Sequence, residues 1–236
     1  MRPRSSSMVE NQAVFQRLAA RYDAWYDTPK GKALFAVECA CLRLALGKTP
    51  PPQPWLEVGI GTGRFAVALG IEQGVDEATE PLEWASKRGV CVRQGLAEQL
   101  PYADGTFGAL FMVMTLCFVR VPLQALYESA RVLRLDGSLL IGFVTYDSDW
   151  GRVYMQKASE GDLFYVSASF HTVKDVVALA ANAGFYVSGN ASCLLESPDD
   201  DVNLYSDPCK EILPGAGFVA LKLSLAAHHQ EGGRRL

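Results

Sequence analysis

Three glycines at alternate positions, in the stretch WLEVGIGTGRFA, are the residues of this sequence with the clearest chemical meaning. Gly59, Gly61 and Gly63 follow an apolar run that contains Glu57. A glycine-rich turn between a strand and a helix brings bare backbone N–H groups close to a ligand, where any Cβ atom would collide with it. One glycine would be enough for a tight turn that needs a positive φ angle. Three alternating glycines therefore favour a bound nucleotide-like group.

The spacing of these glycines distinguishes between nucleotide cofactors. The dinucleotide fingerprint G-x-G-x-x-G requires a third glycine, which would fall at Arg64 counted from Gly59, or at Ala66 counted from Gly61. Neither position is a glycine, so binding of NAD or FAD is only the second choice. The observed pattern is E-x-G-x-G-x-G, beginning at Glu57.

This pattern resembles the first motif of class I S-adenosylmethionine-dependent methyltransferases. The likeness covers roughly residues 12–224 and is closest to small, UbiE-like and generic members of the superfamily. The glycine loop is its most specific part, and the later segments carry weight because their order and spacing agree. Those segments are IEQGVDEATEPLEWASKRG, QGLAEQLPYADGTFGALFMVMTLCFV, RVLRLDGSLLIGF and FHTVKDVVALAANAGF.

The resemblance implies cofactor-binding roles at the first two strand ends. Gly59, Gly61 and Gly63 would line the methionine part of S-adenosylmethionine, and Glu57 would orient the loop or meet the cofactor's amino group through water. Asp76 would accept hydrogen bonds from the ribose hydroxyls, since a carboxylate matches two vicinal donors. The competing interpretations are a solvated strand-end carboxylate for Glu57 and an ordinary turn residue for Asp76.

The adenine end departs from the family pattern. Many members have an acidic residue where this chain has Leu96, just before Ala97 and Glu98. We expect the backbone of Ala97 and apolar contacts to hold adenine, with Glu98 as a further candidate. An exposed turn residue is an equally good interpretation of Glu98.

The segment Thr115–Phe118 would face the reaction centre in this family. It lacks the Asn-Pro-Pro-Tyr type of motif used by enzymes that methylate amino groups of nucleic acids. We count Thr115 among the cofactor-binding residues, and Cys117 and Phe118 as candidates for the substrate pocket. A buried small hydrophobic role for Cys117 is favoured over a nucleophilic one.

Aromatic residues near the N-terminus would cover the cofactor as a lid. Tyr22 is the preferred cofactor contact, because its hydroxyl would reach the cofactor carboxylate; Trp25 and Tyr26 are candidates for the substrate pocket. Ordinary core packing is almost as good an interpretation of Trp25. His171 is a weak candidate for a general base, with a structural role favoured. It precedes Thr172, which with Asp175 predicts a capped helix start.

The elements that position these residues alternate between strands and helices, which predicts right-handed βαβ crossovers. We therefore expect an α/β, Rossmann-like methyltransferase fold with a mostly parallel seven-stranded sheet, an antiparallel last strand and an N-terminal helical cap. The predicted division is a disordered segment at 1–10, the cap at 11–47, the core domain at 48–225 and a disordered tail at 226–236. The fifth strand is expected at 138–146, after a turn at Asp136–Gly137.

The composition of the chain bears on whether it binds nucleic acid, a membrane or a metal ion. The chain has 236 residues, 49% of them hydrophobic and 20% charged, with a net charge of −4, so no electrostatic footprint for nucleic acid is visible. No apolar run is long enough for a bilayer and no signal peptide is apparent, which predicts a cytoplasmic protein without membrane contact. Six scattered cysteines show neither a CxxC pair nor a nearby His ligand, so no metal is expected. The sequence does not indicate an oligomeric state.

These observations predict SN2 transfer of a methyl group from S-adenosylmethionine to a small molecule. A non-catalytic module that binds S-adenosylmethionine is one alternative. Another Rossmann-type nucleotide enzyme is the other, and it is disfavoured by the glycine spacing.

Overall fold

A computed structural model describes the backbone of residues 6–226, with side chains from Phe15 onward except that of Leu204. Seven strands form one sheet in the order β3-β2-β1-β4-β5-β7-β6. Strands β1 to β5 pair in parallel, whereas β7 is antiparallel to both of its neighbours. The strands are β1 Trp55–Val58, β2 Gln73–Asp76, β3 Cys91–Gln94, β4 Phe107–Val113, β5 Leu133–Val144, β6 Phe185–Cys193 and β7 Phe218–Leu225.

Helices cover both faces of the sheet, and each face has its own apolar core. Helices α5 and α7 pack over one face through residues such as Leu126 and Val176, and the other helices contribute to the opposite face. The helices are α1 Ser6–Trp25, α2 Pro29–Leu46, α3 Arg64–Leu69, α4 Thr79–Lys87, α5 Pro122–Val132, α6 Asp149–Ser159 and α7 Val173–Asn182. The expected fold, including the antiparallel last strand and the N-terminal helices, is confirmed.

Local sequence explains where these elements begin and lie. Every residue of β1 and of β4 is buried, as expected of central strands covered on both faces; β4 is a continuous apolar run, and β1 is apolar except for Glu57. Helix α2 begins after Thr28, whose side chain accepts a hydrogen bond from the Gly31 amide, with Pro29 at the first helical position. Thr172 and Asp175 form the predicted capping box of α7.

Two boundaries differ from those expected. Helix α1 begins at Ser6, so residues 6–10 are helical where a disordered segment was predicted; no glycine or proline interrupts the chain from there to Trp25. Strand β5 begins at Leu133, because the Asp136–Gly137 segment forms an irregularity within the strand, between the pairs Phe107–Leu133 and Ala109–Ser138. Residues 1–5 of the segment predicted to be disordered lie outside the described residues, as does the tail predicted at 226–236 apart from Ala226.

No helix within residues 6–226 is long and apolar enough to cross a bilayer.

Candidate functional site

A pocket opens at the carboxyl ends of β1, β2 and β4 and is roofed by α1. The space between the lining residues is about 1090 Å³, and part of it is continuous with solvent. Its position follows from the topology, since β1 lies between β2 and β4 and the chain leaves these strands in opposite directions along the sheet. Ligands of open α/β sheets bind at this kind of switch point.

The glycine loop after β1 forms the floor of the pocket. All three glycines have positive φ angles, +72° at Gly59, +51° at Gly61 and +81° at Gly63. A Cβ at Gly59 would lie 2.3 Å from Cγ2 of Thr115, and one at Gly63 would lie 2.9 Å from Cβ of Ala85. A Cβ at Gly61 meets no atom within 4 Å.

The three glycines therefore serve different purposes. Packing against the protein's own side chains excludes a Cβ at Gly59 and Gly63, where we had expected only ligand approach. Gly61 presents a bare backbone to the open pocket. Gly63 does not line the pocket and instead precedes α3 in a left-handed conformation.

Glu57 lies in the pocket wall and is only 1% exposed. Its Oε2 atom is buried and has no hydrogen-bond partner within the described part of the chain. Burial raises the pKa of Glu57 well above its usual range, against the opposing effect of a backbone hydrogen bond from Ala66. An unsatisfied buried carboxyl oxygen is costly, so this position suits a ligand that supplies a donor.

Asp76 joins the glycine loop to the start of α4. Its Oδ2 accepts a hydrogen bond from the Gly61 amide at 2.9 Å, and its Oδ1 accepts one from the Ala78 amide at 3.0 Å. Burial raises the pKa of Asp76, although these backbone hydrogen bonds oppose the shift. Each carboxylate oxygen keeps a further lone pair for a donor in the pocket.

Leu96, Ala97 and Glu98 line the far end of the pocket. Glu98 is not an exposed turn residue, because its side chain is only 15% exposed. Its Oε1 accepts hydrogen bonds from the amides of Arg120 and Val121 at 3.1 and 3.3 Å. Glu98 thereby fixes the loop that leads into α5.

Thr115 fastens the end of β4 to the glycine loop. Its hydroxyl donates to the Val113 carbonyl at 3.0 Å, and its methyl group occupies the space that Gly59 leaves free. Phe118 lines the pocket and packs edge-on against Phe15 at 5.1 Å. Cys117 does not line the pocket, and burial raises its pKa to about 12, so it is a neutral thiol at neutral pH.

Helix α1 contributes Phe15, Ala19 and Tyr22 to the pocket lining, and Tyr26 in the turn after the helix also lines it. The hydroxyls of Tyr22 and Tyr26 lie 2.9 Å apart and share a hydrogen bond. Burial raises the pKa of Tyr22 to about 12, so this hydroxyl stays protonated. Trp25, the last residue of α1, lies outside the pocket and is 38% exposed, whereas Tyr26 in the following turn is buried.

Ion pairs join α1 to residues that follow the glycine loop and α4, and no sequence pattern predicted these ion pairs. Arg64 donates to both oxygens of Asp23, at 2.9 and 2.7 Å, and also to Asp27. Arg88 donates to Asp23 at 2.9 Å. Burial alone would raise the pKa of Asp23, but hydrogen bonds from Arg64, Thr62 and Arg88 lower it to about 2.

His171 lies beyond the end of β5, paired with Thr145, and does not line the pocket. Its Nε2 atom is buried without a hydrogen-bond partner among residues 15–226. Burial lowers the pKa of His171, against the opposing charge of Asp175. The weak prediction of a general base at this residue gains no geometric support.

Sequence reasoning also missed a buried carboxyl group on α2. Glu38 on α2 is 5% exposed, within an otherwise apolar run, ALFAVECACLRLAL. The isolated carboxylate in that run was the available signal. Aromatic rings on α6 and the loop after it pack together around Tyr154, which contacts the rings of Trp150, Tyr165 and Phe170.

Within the described range, no group of three or more His, Cys, Asp or Glu side chains is arranged to hold a metal ion.

Sequence comparisons identify relatives of this chain. Residues 56–141 match a family model described as a methyltransferase domain. The chain is 39% identical over 216 residues to the uncharacterized protein Rv2003c of Mycobacterium tuberculosis, which covers 90% of this chain and 74% of that protein. It is 33% identical over 172 residues to the uncharacterized protein MJ1123 of Methanocaldococcus jannaschii, covering 73% of this chain and 80% of that one.

Comparison with solved structures also identifies methyltransferases as similar proteins. A Thermotoga maritima protein, described as an S-adenosylmethionine-dependent methyltransferase and possible histamine N-methyltransferase, aligns with a TM-score of 0.82 and 31% identity. The alignment covers 90% of this chain and 98% of that one. The CcbJ methyltransferase of Streptomyces caelestis aligns with a TM-score of 0.59 over 92% of this chain and 99% of its own, but at 15% identity its likeness concerns the fold alone.

Proposed function

The chain belongs to the class I S-adenosylmethionine-dependent methyltransferases, and on that premise we propose that it methylates a small molecule. It is an enzyme of this family, and its cofactor is S-adenosylmethionine. The observation that carries the proposal is the aromatic lining of the pocket: Phe15 and Tyr22 of α1, and Tyr26 just after this helix, contribute side chains to it. Because these side chains occupy one side of the pocket, we expect the acceptor that reaches the cofactor to be small.

The residues present fit the cofactor. Gly61 offers bare backbone to the pocket, Glu57 has a buried carboxyl oxygen without a partner among the described residues, and Asp76 has unused lone pairs. When bound, the cofactor supplies a methyl group on a positively charged sulfur that is already activated for transfer. The protein's task is therefore alignment of the acceptor and exclusion of water.

We assign the cofactor contacts as follows. Asp76 accepts hydrogen bonds from the ribose, and Glu57 with the glycine loop holds the methionine part. Leu96, Ala97 and Glu98 surround the adenine, with apolar contact replacing the acidic acceptor found in many relatives. Thr115 and Tyr22 complete the wall around the methyl group, and Gly59 and Gly63 act by letting the loop pack.

Small amines are the first acceptors to test, because the T. maritima relative is described as a possible histamine N-methyltransferase. A nucleic-acid acceptor is disfavoured by the net charge of −4. We propose Phe118 and Tyr26 as walls of the acceptor space. Trp25, Cys117 and His171 are not assigned roles there, since none of them lines the pocket.

Calorimetric titration with S-adenosylhomocysteine tests the cofactor site. We expect micromolar binding by the wild type, at least tenfold weaker binding by Gly61→Ala, and no binding of NADH. Gly105→Ala is the matched control, because Gly105 also has a positive φ of +60° and open space around its Cβ position, but lies outside the pocket. Absence of S-adenosylhomocysteine binding by the folded wild type, or equal losses in the two variants, would contradict the assignment.

Turnover tests the acceptor class. Release of S-adenosylhomocysteine is followed while small amines, phenols, thiols and carboxylic acids are supplied, with a short single-stranded RNA and DNA as comparison. Methylation of a small molecule is expected, and methylation of the nucleic acids alone would refute the proposal.

A further inference from the structure

Three aromatic rings form a continuous wall along one side of the pocket. The ring of Phe15 packs edge-on against that of Tyr22, with centroids 6.2 Å apart, and against that of Phe118, with centroids 5.1 Å apart. All three residues line the pocket and are only half-buried, so each keeps surface that a ligand can cover. We call Phe15, Tyr22 and Phe118 the aromatic wall.

The aromatic wall lies on the β4 side of the pocket. Phe118 ends the 3₁₀ turn Leu116–Phe118, which follows β4. The cofactor contacts proposed above at Glu57, Asp76 and Ala97 lie at or after the ends of β1, β2 and β3, and β1 separates β4 from the other two strands in the sheet. An acceptor has to approach the methyl group from a side that the ribose and adenine do not occupy. The aromatic wall lies on such a side.

Contacts behind the aromatic wall hold its rings in place without a ligand. Phe164, in the loop after α6, lies 6.2 Å from Phe15 and 5.8 Å from Tyr22, measured between ring centroids. The Ser169 amide of the same loop donates to the Cys117 carbonyl at 2.7 Å and so joins this loop to the 3₁₀ turn. Rings that are fixed before binding lose little side-chain entropy when a ligand packs against them.

The acidic side chains of the pocket lie on its other sides. They follow or end the strands β1, β2 and β3, and they are Glu57, Asp76, Glu77 and Glu98. The basic side chains of the pocket are paired. Arg64 binds Asp23 and Asp27, and Nε of Arg120 lies 3.7 Å from Oε1 of Glu98. As far as residues 15–226 show, no carboxylate belongs to the β4 side of the pocket, where it could hold a cationic acceptor.

Aromatic faces bind two kinds of ligand, flat rings and organic cations. A cation is disfavoured at the aromatic wall, because the cofactor already carries a positive charge at its sulfur and like charges repel each other. A flat uncharged ring meets no such repulsion. Each aromatic contact strengthens the binding of such a ring by roughly twofold to tenfold.

We propose that the aromatic wall binds a flat, uncharged aromatic ring of the methyl acceptor. This inference rests on the proposed small-molecule function and narrows it to aromatic and heteroaromatic acceptors. The ring packs against the wall, and a nucleophilic atom in the ring or attached to it faces the methyl group. The lone pair of this atom forms the bond to the methyl carbon while the carbon–sulfur bond breaks and leaves its electron pair on sulfur. Any proton on the nucleophilic atom is then lost to water.

The test compares three probes of similar size. Benzyl alcohol is aromatic and uncharged, cyclohexylmethanol replaces its flat ring by a saturated one, and benzylamine is aromatic but positively charged at neutral pH. Each is titrated by ligand-observed NMR into the full-length protein saturated with sinefungin, an analogue of S-adenosylmethionine in which a carbon bearing an amino group replaces the methylated sulfur. The wild type is expected to bind benzyl alcohol at least tenfold more tightly than either of the other probes.

Variants of the aromatic wall locate this preference. Phe118→Leu and Tyr22→Leu are expected to reduce the preference for benzyl alcohol over cyclohexylmethanol to less than threefold, whereas Tyr22→Phe, which keeps the ring, retains it. Tyr127→Leu is the matched control at an exposed aromatic residue of α5 and also retains it. Affinity for sinefungin should change less than threefold in all four variants, which shows that they fold and that the wall is not the cofactor's own contact.

Several results would overturn the inference. They are equal binding of benzyl alcohol and cyclohexylmethanol by the wild type, tighter binding of benzylamine, binding of none of the three probes, or a loss of sinefungin affinity in Phe118→Leu as large as the loss for benzyl alcohol. Methylation of small molecules without a preference for aromatic ones would refute this inference and leave the proposed function intact. Methylation of nucleic acids alone would refute the proposed function itself.

Discussion

Replacement of Asp23 by Asn should loosen α1 selectively. Asp23 has a side chain only 6% exposed and pairs with both Arg64 and Arg88. The lowering of its pKa from 3.8 to about 2 corresponds to about 2.5 kcal/mol, at about 1.4 kcal/mol for each pH unit. Allowing for the partial exposure of both arginines, we expect a loss of about 2 kcal/mol in the docking of α1.

Hydrogen exchange measures this docking directly. Backbone amides of α1 that exchange through local opening should lose protection by a factor of about 30, since about 1.4 kcal/mol corresponds to a factor of ten. Amides of α5, on the opposite face of the sheet, should be unchanged. Asp27→Asn is the matched control, because Asp27 also pairs with Arg64 but is 62% exposed and should contribute less than about 1 kcal/mol.

The effect also has a defined pH dependence. A carboxyl group whose pKa is lowered by folding stabilises the folded state above its unfolded pKa of 3.8, and this contribution is lost as the pH falls towards about 2. The difference between wild type and Asp23→Asn should therefore shrink to about half by pH 3. Equal effects of the two Asn variants at pH 7, or a difference that is the same at pH 3 and pH 7, would refute the reasoning.

Three further outcomes follow from buried groups near the pocket. Gly59→Ala should lower the free energy of unfolding by about 2 kcal/mol or more in urea denaturation, with partial recovery in the double variant with Thr115→Ala; no loss in the single variant would contradict the packing argument. Glu57→Gln should stabilise the ligand-free protein at pH 8 but not at pH 4.5, because burial raises the Glu57 pKa and its ionisation opposes folding as the pH rises; calorimetric affinity for S-adenosylhomocysteine should fall at the same time. Glu38→Gln should likewise raise the melting temperature above that of the wild type at pH 8, and by less at pH 5. The same difference between variant and wild type at the two pH values would argue against an ionisable, unpaired Glu38.

The order of elements and the ends of the strands were predictable from local patterns. Apolar runs such as β4 identify buried strands, and the carboxyl ends of parallel strands meet at one edge of the sheet. Glu57 and Asp76 lie at two of these strand ends, and the resemblance to class I methyltransferases predicted both of them at the cofactor site. Gly61 was predicted there by the glycine spacing and the same resemblance.

Residues that depend on tertiary contact were missed or misplaced. Asp23 and Arg64 lie 41 positions apart, and no periodicity connects them. Trp25 and Tyr26 are adjacent at the end of α1, and the sequence alone does not decide which of the two side chains lines the pocket. Glu38 belongs to an otherwise apolar helix, and its burial could not be inferred from its neighbours in sequence.

The packing of α1 has a consequence for the kinetics of ligand exchange. Helix α4 starts without a capping side chain of its own, because its N-cap residue is Ala78. The amides of Thr79 and Glu80 donate instead to the side-chain oxygen of Gln16, which α1 supplies. Any movement of α1 away from α4 would break these hydrogen bonds and leave the start of the helix that follows Asp76 without a cap. We therefore expect an opening of the pocket by α1 to be slowed by the loss of this cap.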